Sequence, residues 1–272
     1  MGNGSNNLLY SLQRKLSSAR VYNKRGDNLL ALEKKRIKLW HLKQLGGMNN
    51  MGLSEKLREE ADSIWQAIFK HPFLVEMSRG ILPMKKFKFY LRQDYLYLMD
   101  FCRALAVAEG KIQDVKDLKD FTAFLYKEIA LEIGGLERYA ESIGVSTKQL
   151  SKSNYAPVTY AYTRHVLYSA YADPFSCFLS LIMPCMQLYL EIAEKIGDEE
   201  GIKKIPAYSK WLATYQTKEY ADLVDWLNRL LNKYSQGSSQ WEISRMRALY
   251  LTSSRYEYMF WDMAYKLEGW RI

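Results

Sequence analysis

Between Ser54 and Leu267 the apolar residues recur at steps of three and four, and little interrupts them. That spacing lays them along one face of a helix. No stretch competes with the two-residue alternation of a strand, and no internal repeat is visible. Six prolines and fifteen glycines in 272 residues are few for a loop-rich β fold. The expectation is therefore all-α, with about eight helices in one domain around a single core. Leu57, Ala61, Ile64, Trp65 and Ile68 mark the first helix. Ile81-Leu82-Pro83 opens a second, proline being tolerated where backbone N–H groups are spare. Its stripe is Phe87, Tyr90, Leu91, Asp94, Tyr97, Leu98 and Phe101. A third runs from about Val115 to Ile143, and Gly134-Gly135 within it reads as a place of close helix packing. Pro157 begins a fourth. Asp173-Pro174 reads as N-cap and first residue of a fifth, which ends before Gly197. A short helix after Pro206 and another from about Glu219 to Lys233 precede the last. That one starts with a capping box of Ser239 and Glu242 and runs to about Leu267.

Charge divides the chain unevenly. Residues 1–50 hold ten Lys and Arg against Asp27 and Glu33, and so carry +8 of the total +9. The remaining residues are nearly neutral, which argues against nucleic-acid binding by the folded part. The first 50 residues are also rich in Asn, Ser and Gly at their start. They read as a basic, poorly ordered extension to a domain over 51–272. A transit-type presequence and a basic binding arm are the alternatives.

Cys102, Cys177 and Cys185 are the only cysteines, without paired spacing. This points to free thiols and a reducing, cytoplasmic setting, with organellar targeting by residues 1–50 kept open. No run approaches the roughly 18 uninterrupted apolar residues of a membrane span, so no membrane partner is expected. His41, His71 and His165 stand apart, so no metal-ligand spacing appears. Phosphate-cradling glycine loops and a serine nucleophile elbow are absent as well.

Three polar residues break the apolar stripes. Asp94 shares a helix face with Phe87, Leu91, Leu98 and Phe101. Cys185 lies among Phe178, Leu181, Ile182, Leu188, Tyr189 and Ile192. Glu257 lies between Ser253 and Phe260, Trp261 and Ala264. Burying a carboxylate costs several kcal/mol (order ~2–7) unless it is paired or neutralised. A catalytic site is one reason to do so, because burial tunes carboxyl groups toward proton transfer near neutral pH. Periodicity alone leaves blander readings open. Glu257 could pair with Arg255 or Lys266, Asp94 could be a solvated flank beside Arg92, and Cys185 could be a small core hydrophobe.

Several strings then match a known family. His71-Pro72-Phe73, Gly80-Ile81-Leu82-Pro83 and the run FKFYLRQDYLYL from Phe87 resemble the opening signature of the TenA/thiaminase II proteins. Tyr160 to Thr163 with His165, Met183-Pro184-Cys185 through Tyr189, and Lys210-Trp211 through Tyr215 continue the likeness. So does the closing SSRYEYMFWDMAYKLEGW from Ser253. The resemblance covers residues 51–272 in order. It implies a heme-oxygenase-like helical bundle that assembles as a homotetramer and acts in thiamin salvage without a cofactor. The implied reaction hydrolyses 4-amino-5-aminomethyl-2-methylpyrimidine, and also thiamin, to the hydroxymethyl pyrimidine. By the same resemblance, Cys185 is the nucleophile and Glu257 the acid–base group. Asp94 hydrogen-bonds the pyrimidine, and Tyr97, Tyr162, Tyr189 and Tyr215 line the pocket. Cys185 implies the cysteine-containing branch of the family. Many relatives carry histidine where this chain has Leu136.

Two other functions stay in view. One is a non-catalytic pyrimidine-binding or regulatory protein of the same fold. The other is heme-dependent oxidation, which would need an axial histidine such as His71 near the start of the bundle.

Overall fold

A computed structural model of the chain describes residues 51–271; the expectations placed on residues 1–50, His41 included, lie outside the described residues. Every described regular element is helical. The helices are α1 (Leu53–Glu60), α2 (Asp62–Phe69), α3 (Pro72–Ser78), α4 (Met84–Glu109), α5 (Val115–Lys127), α6 (Gly134–Ser142), α7 (Thr147–Ser151), α8 (Pro157–Ala172), α9 (Phe175–Ile196), α10 (Glu200–Lys204), α11 (Pro206–Tyr215), α12 (Lys218–Ser235) and α13 (Gln240–Lys266). A π-helical segment, Glu128–Ile133, joins α5 to α6.

The all-α expectation holds, but these segments are more numerous than about eight. The first expected helix is broken near Ala61 and followed by α3, and the third is interrupted by the π segment. The remainder are helices of one or two turns, too short to show a period of their own.

The long helices carry the core. α9 packs along α13 and α12, while α8 packs along α4. α9 has enough length and apolar character to cross a membrane, with mean hydropathy 1.5 over its best window. That window is 83% buried inside the fold, so this is the central core helix. Trp65, Trp261, Tyr90, Phe73 and Phe87 are fully buried around it. Tyr90 stacks on Trp261 with ring centroids 5.1 Å apart. Such pairs add about 0.5–1.5 kcal/mol each beyond the area they bury.

Three sequence-level readings of helix ends change. Pro83 is the N-cap of α4, one place before the helix. Pro174 likewise caps α9, while Asp173 ends α8 and forms a fork with Arg245 at 2.8 and 2.9 Å. Ser239 does accept the Glu242 N–H at 3.2 Å. The Glu242 carboxylate, however, turns to the Ser176 hydroxyl on α9, so the box is half built. In two of these cases a tertiary ion pair or hydrogen bond recruits the side chain that a local cap would have used.

Gly134 and Gly135 do not mark tight packing. A Cβ at Gly135 would meet nothing within 4 Å, and one at Gly134 only the Arg138 side chain.

Candidate active site

Long helices turn their polar exceptions toward one another. Asp94 and Tyr97 on α4, Tyr162 on α8, Cys185 and Tyr189 on α9, Tyr215 on α11 and Glu257 on α13 all line one cavity. It encloses about 540 Å³ of space free of protein atoms, any opening to solvent included. All seven residues singled out from the sequence therefore meet in one place. Glu257 pairs with neither Arg255 nor Lys266: its carboxylate accepts from Tyr162, and Lys266 bonds Asp262 at 2.6 Å. Asp94 is 6% exposed and Glu257 2%, so neither is a solvated flank.

Cys185 follows Pro184, which sits inside α9. Proline there removes one backbone N–H from the helix ladder. The Cys185 thiol donates to the Ile182 carbonyl at 3.0 Å. Burial is the main reason that its pKa lies well above that of an ordinary thiol, and the nearby Glu257 adds to it. The resting sulfur is thus a thiol, and only a base taking its proton would make it a nucleophile.

Such a base is adjacent. Burial lifts the Glu257 carboxyl from the usual 4.5 to about 7, against the pull of the Tyr162 hydroxyl, which donates to it at 2.8 Å. A group poised there exchanges protons readily at neutral pH. Asp94 is also raised well above the usual carboxylate range, first by burial and then by Glu132 and Glu257, with the Tyr90 hydroxyl opposing.

Aromatic rings form the walls. Tyr97 lies 4.9 Å from Tyr162 and 5.8 Å from Phe101, and Tyr189 lies 5.1 Å from Tyr215, centroid to centroid. The Tyr97 hydroxyl is buried beside Cys185 and Tyr162 but meets neither in hydrogen-bond geometry. A slot of this kind suits a flat ring with polar edges.

Sequence reasoning missed Glu128, Glu132 and Tyr220, which also line the cavity. Glu128 follows Phe121 and Phe124 at helical steps, so the test that found Asp94 would have found it. Burial, with Glu132 beside it, raises Glu128 to about 8. Glu132 is raised by burial too, opposed by Tyr215. Both come from the π-helical segment, a feature frequent at functional sites.

The histidines stay outside. His71 caps α3, its Nδ1 accepting the Phe73 N–H at 3.2 Å, while its Nε2 lies 3.6 Å from Asp262. Its Nε2 faces Asp262, and His71 does not line the cavity. His165 packs on Tyr256, its Nε2 buried without a partner among the described residues. Among the described residues no cluster of His, Cys, Asp and Glu has the arrangement of a metal site.

Known proteins resemble this chain in sequence and in fold. The pattern of the TENA/THI-4/PQQC family matches residues 58–267. An aminopyrimidine aminohydrolase of Halalkalibacterium halodurans is 33% identical over 220 residues, covering 81% of this chain and 98% of that protein. Among solved structures, the TenA homologue from P. horikoshii OT3 superposes with a TM-score of 0.73 at 30% identity. The match covers 79% of this chain and 99% of that one. A domain of unknown function with a heme oxygenase-like fold, from Shewanella denitrificans OS217, shares the fold at 16% identity, with a TM-score of 0.65 over 78% of this chain and 92% of its own.

Proposed function

This chain belongs to the TENA/THI-4/PQQC family, and from that premise we propose that it is an aminopyrimidine aminohydrolase of thiamin salvage. Its substrate in this reading is 4-amino-5-aminomethyl-2-methylpyrimidine, with thiamin as a second, and its product is the hydroxymethyl pyrimidine. The observation that carries the reading is the meeting of Cys185, Glu257 and Asp94, from three helices, in one buried aromatic cavity.

Asp94 faces the aminopyrimidine edge and orients it by paired hydrogen bonds to the amino group and a ring nitrogen. A protonated carboxyl can both give and accept there, which fits its raised pKa. Tyr97, Tyr162, Tyr189 and Tyr215 hold the ring and keep water out.

Ionised Glu257 takes the proton of Cys185, and the thiolate adds to a ring carbon. Electrons move through the ring to the exocyclic methylene, and its bond to nitrogen breaks. The departing nitrogen takes the proton that Glu257 drew from Cys185 and leaves as ammonia, so Glu257 is ionised again. Water then adds to the methylene and gives a proton to Glu257. The ring regains aromaticity as the thiolate departs and is reprotonated. No step calls for a metal or an organic cofactor. Assembly as a homotetramer belongs to the same reading, to be checked by the mass of the protein in solution.

The direct test is ammonia release from the aminomethyl pyrimidine. The purified chain should release one ammonia per hydroxymethyl product, and Cys185→Ala should lower the rate by about 10³-fold or more with the helical content unchanged. A full rate in Cys185→Ala rules out covalent catalysis by Cys185. Binding of the pyrimidine without turnover by the unaltered chain moves the protein to the non-catalytic class.

A further inference from the structure

The chemistry above leaves Glu128 and Glu132 unused, yet both carboxyl groups line the cavity. They extend from the π-helical segment, whose opposite side turns Ile129 and Leu131 outward, 52% and 60% exposed. Glu128 is 7% exposed and has no hydrogen-bond or ion-pair partner among the described residues. With Asp94 and Glu257 they make four carboxyl groups around one small space, and among the described residues no Lys, Arg or His lines it. Elsewhere in the fold a buried carboxylate finds a cation: Asp100 bonds Arg103 at 2.7 Å and Asp173 bonds Arg245 at 2.8 Å. A buried acid left without one keeps its proton, as Glu128 does at neutral pH, until a cation from outside draws that proton off. A second feature points the same way, since the Tyr97 hydroxyl also lines the cavity, buried and unpartnered.

We infer that Glu128 and Glu132 form a cation subsite that receives the positively charged substituent on the substrate's methylene carbon. This rests on the hydrolase reading and deepens it. At the moment of departure the leaving group of both proposed substrates is cationic, an ammonium in one and a thiazolium in the other. A carboxylate pair beside that group favours the charged ligand over a neutral ring of the same shape. It also sets a boundary on substrates, because a phosphate or carboxylate on the same arm would meet like charge.

Calorimetry on the full chain carrying Cys185→Ala separates binding from turnover. The aminomethyl pyrimidine, charged at neutral pH, is compared with its neutral hydroxymethyl counterpart. The charged ligand should bind tighter by about tenfold. Adding Glu128→Gln or Glu132→Gln should each weaken it by about tenfold, while affinity for the neutral ligand moves by less than about twofold. Equal losses for both ligands, or no loss for either, overturn the subsite and leave the hydrolase reading standing. Failure of both pyrimidines to bind the Cys185→Ala protein overturns that reading and the subsite with it. Glu132 is only partly buried, so its amide variant decides the matter if Glu128→Gln does not fold.

Discussion

At the scale of single residues, the site depends on where one proton sits. Burial keeps Cys185 a thiol and brings Glu257 to about 7, so the working state has a single proton shared between sulfur and carboxyl. A second proton, added as pH falls, protonates Glu257 and removes the base. We therefore expect kcat/KM to fall on the acid side with an apparent pKa near 7. Glu257→Gln should lose that limb along with about 10²–10⁴-fold in rate. A profile with no acid limb between about pH 6 and 8 would show that another group accepts the thiol proton. Asp94, Cys185 and Glu257 were visible in the sequence because each interrupts an apolar stripe. Glu128 interrupts one too, after Phe121 and Phe124. It was passed over because Ile129, Leu131 and Ile133 beyond it blur the period where the helix changes pitch.

At the scale of elements, the long helices were legible, and their number, ends and interruptions were not. Periodicity reports which face is buried, not whether the backbone keeps i→i+4 bonding, so α5, the π segment and α6 read as one helix. The cap misreadings share another cause. Asp173 and Glu242 have the right residue types for local capping, but Arg245 and Ser176 reach them from other helices. The double glycine is open to a direct check. Gly135 is the second residue of α6, without a positive φ and with free space at its Cβ position. Replacing it by alanine removes unfolded-state freedom at no steric cost, and should stabilise the protein by about 0.5–1 kcal/mol in denaturant titration. A destabilised Gly135→Ala would mean that the π-to-α junction needs glycine after all.

At the scale of the whole molecule, the acid-lined cavity is a weak point of the fold. Glu128 and Glu257 bind protons more tightly when folded, near 8 and 7, than the usual 4.5 of an exposed glutamate. Their contribution to stability is thus complete below about pH 4.5 and is lost as pH rises through 7 and 8. Glu128→Gln removes the cost of a buried charge. It should raise the unfolding free energy at pH 8 by an amount on the order of 4 kcal/mol, and the gain should vanish near pH 4.5. An equal gain at both pH values would assign it to packing instead. Function here opposes stability, as expected where unpaired carboxyls are kept for a ligand.

The account as a whole stands on the cavity receiving a pyrimidine with its reactive carbon between thiol and acid. The most direct measurement is a crystal structure of the Cys185→Ala protein soaked with 4-amino-5-aminomethyl-2-methylpyrimidine. The account predicts the ring between the tyrosine walls, its amino edge hydrogen-bonded to Asp94 and its methylene directed toward Glu257. A ring bound with Asp94 and Glu257 both out of reach, or density for the pyrimidine only outside this cavity, would contradict it.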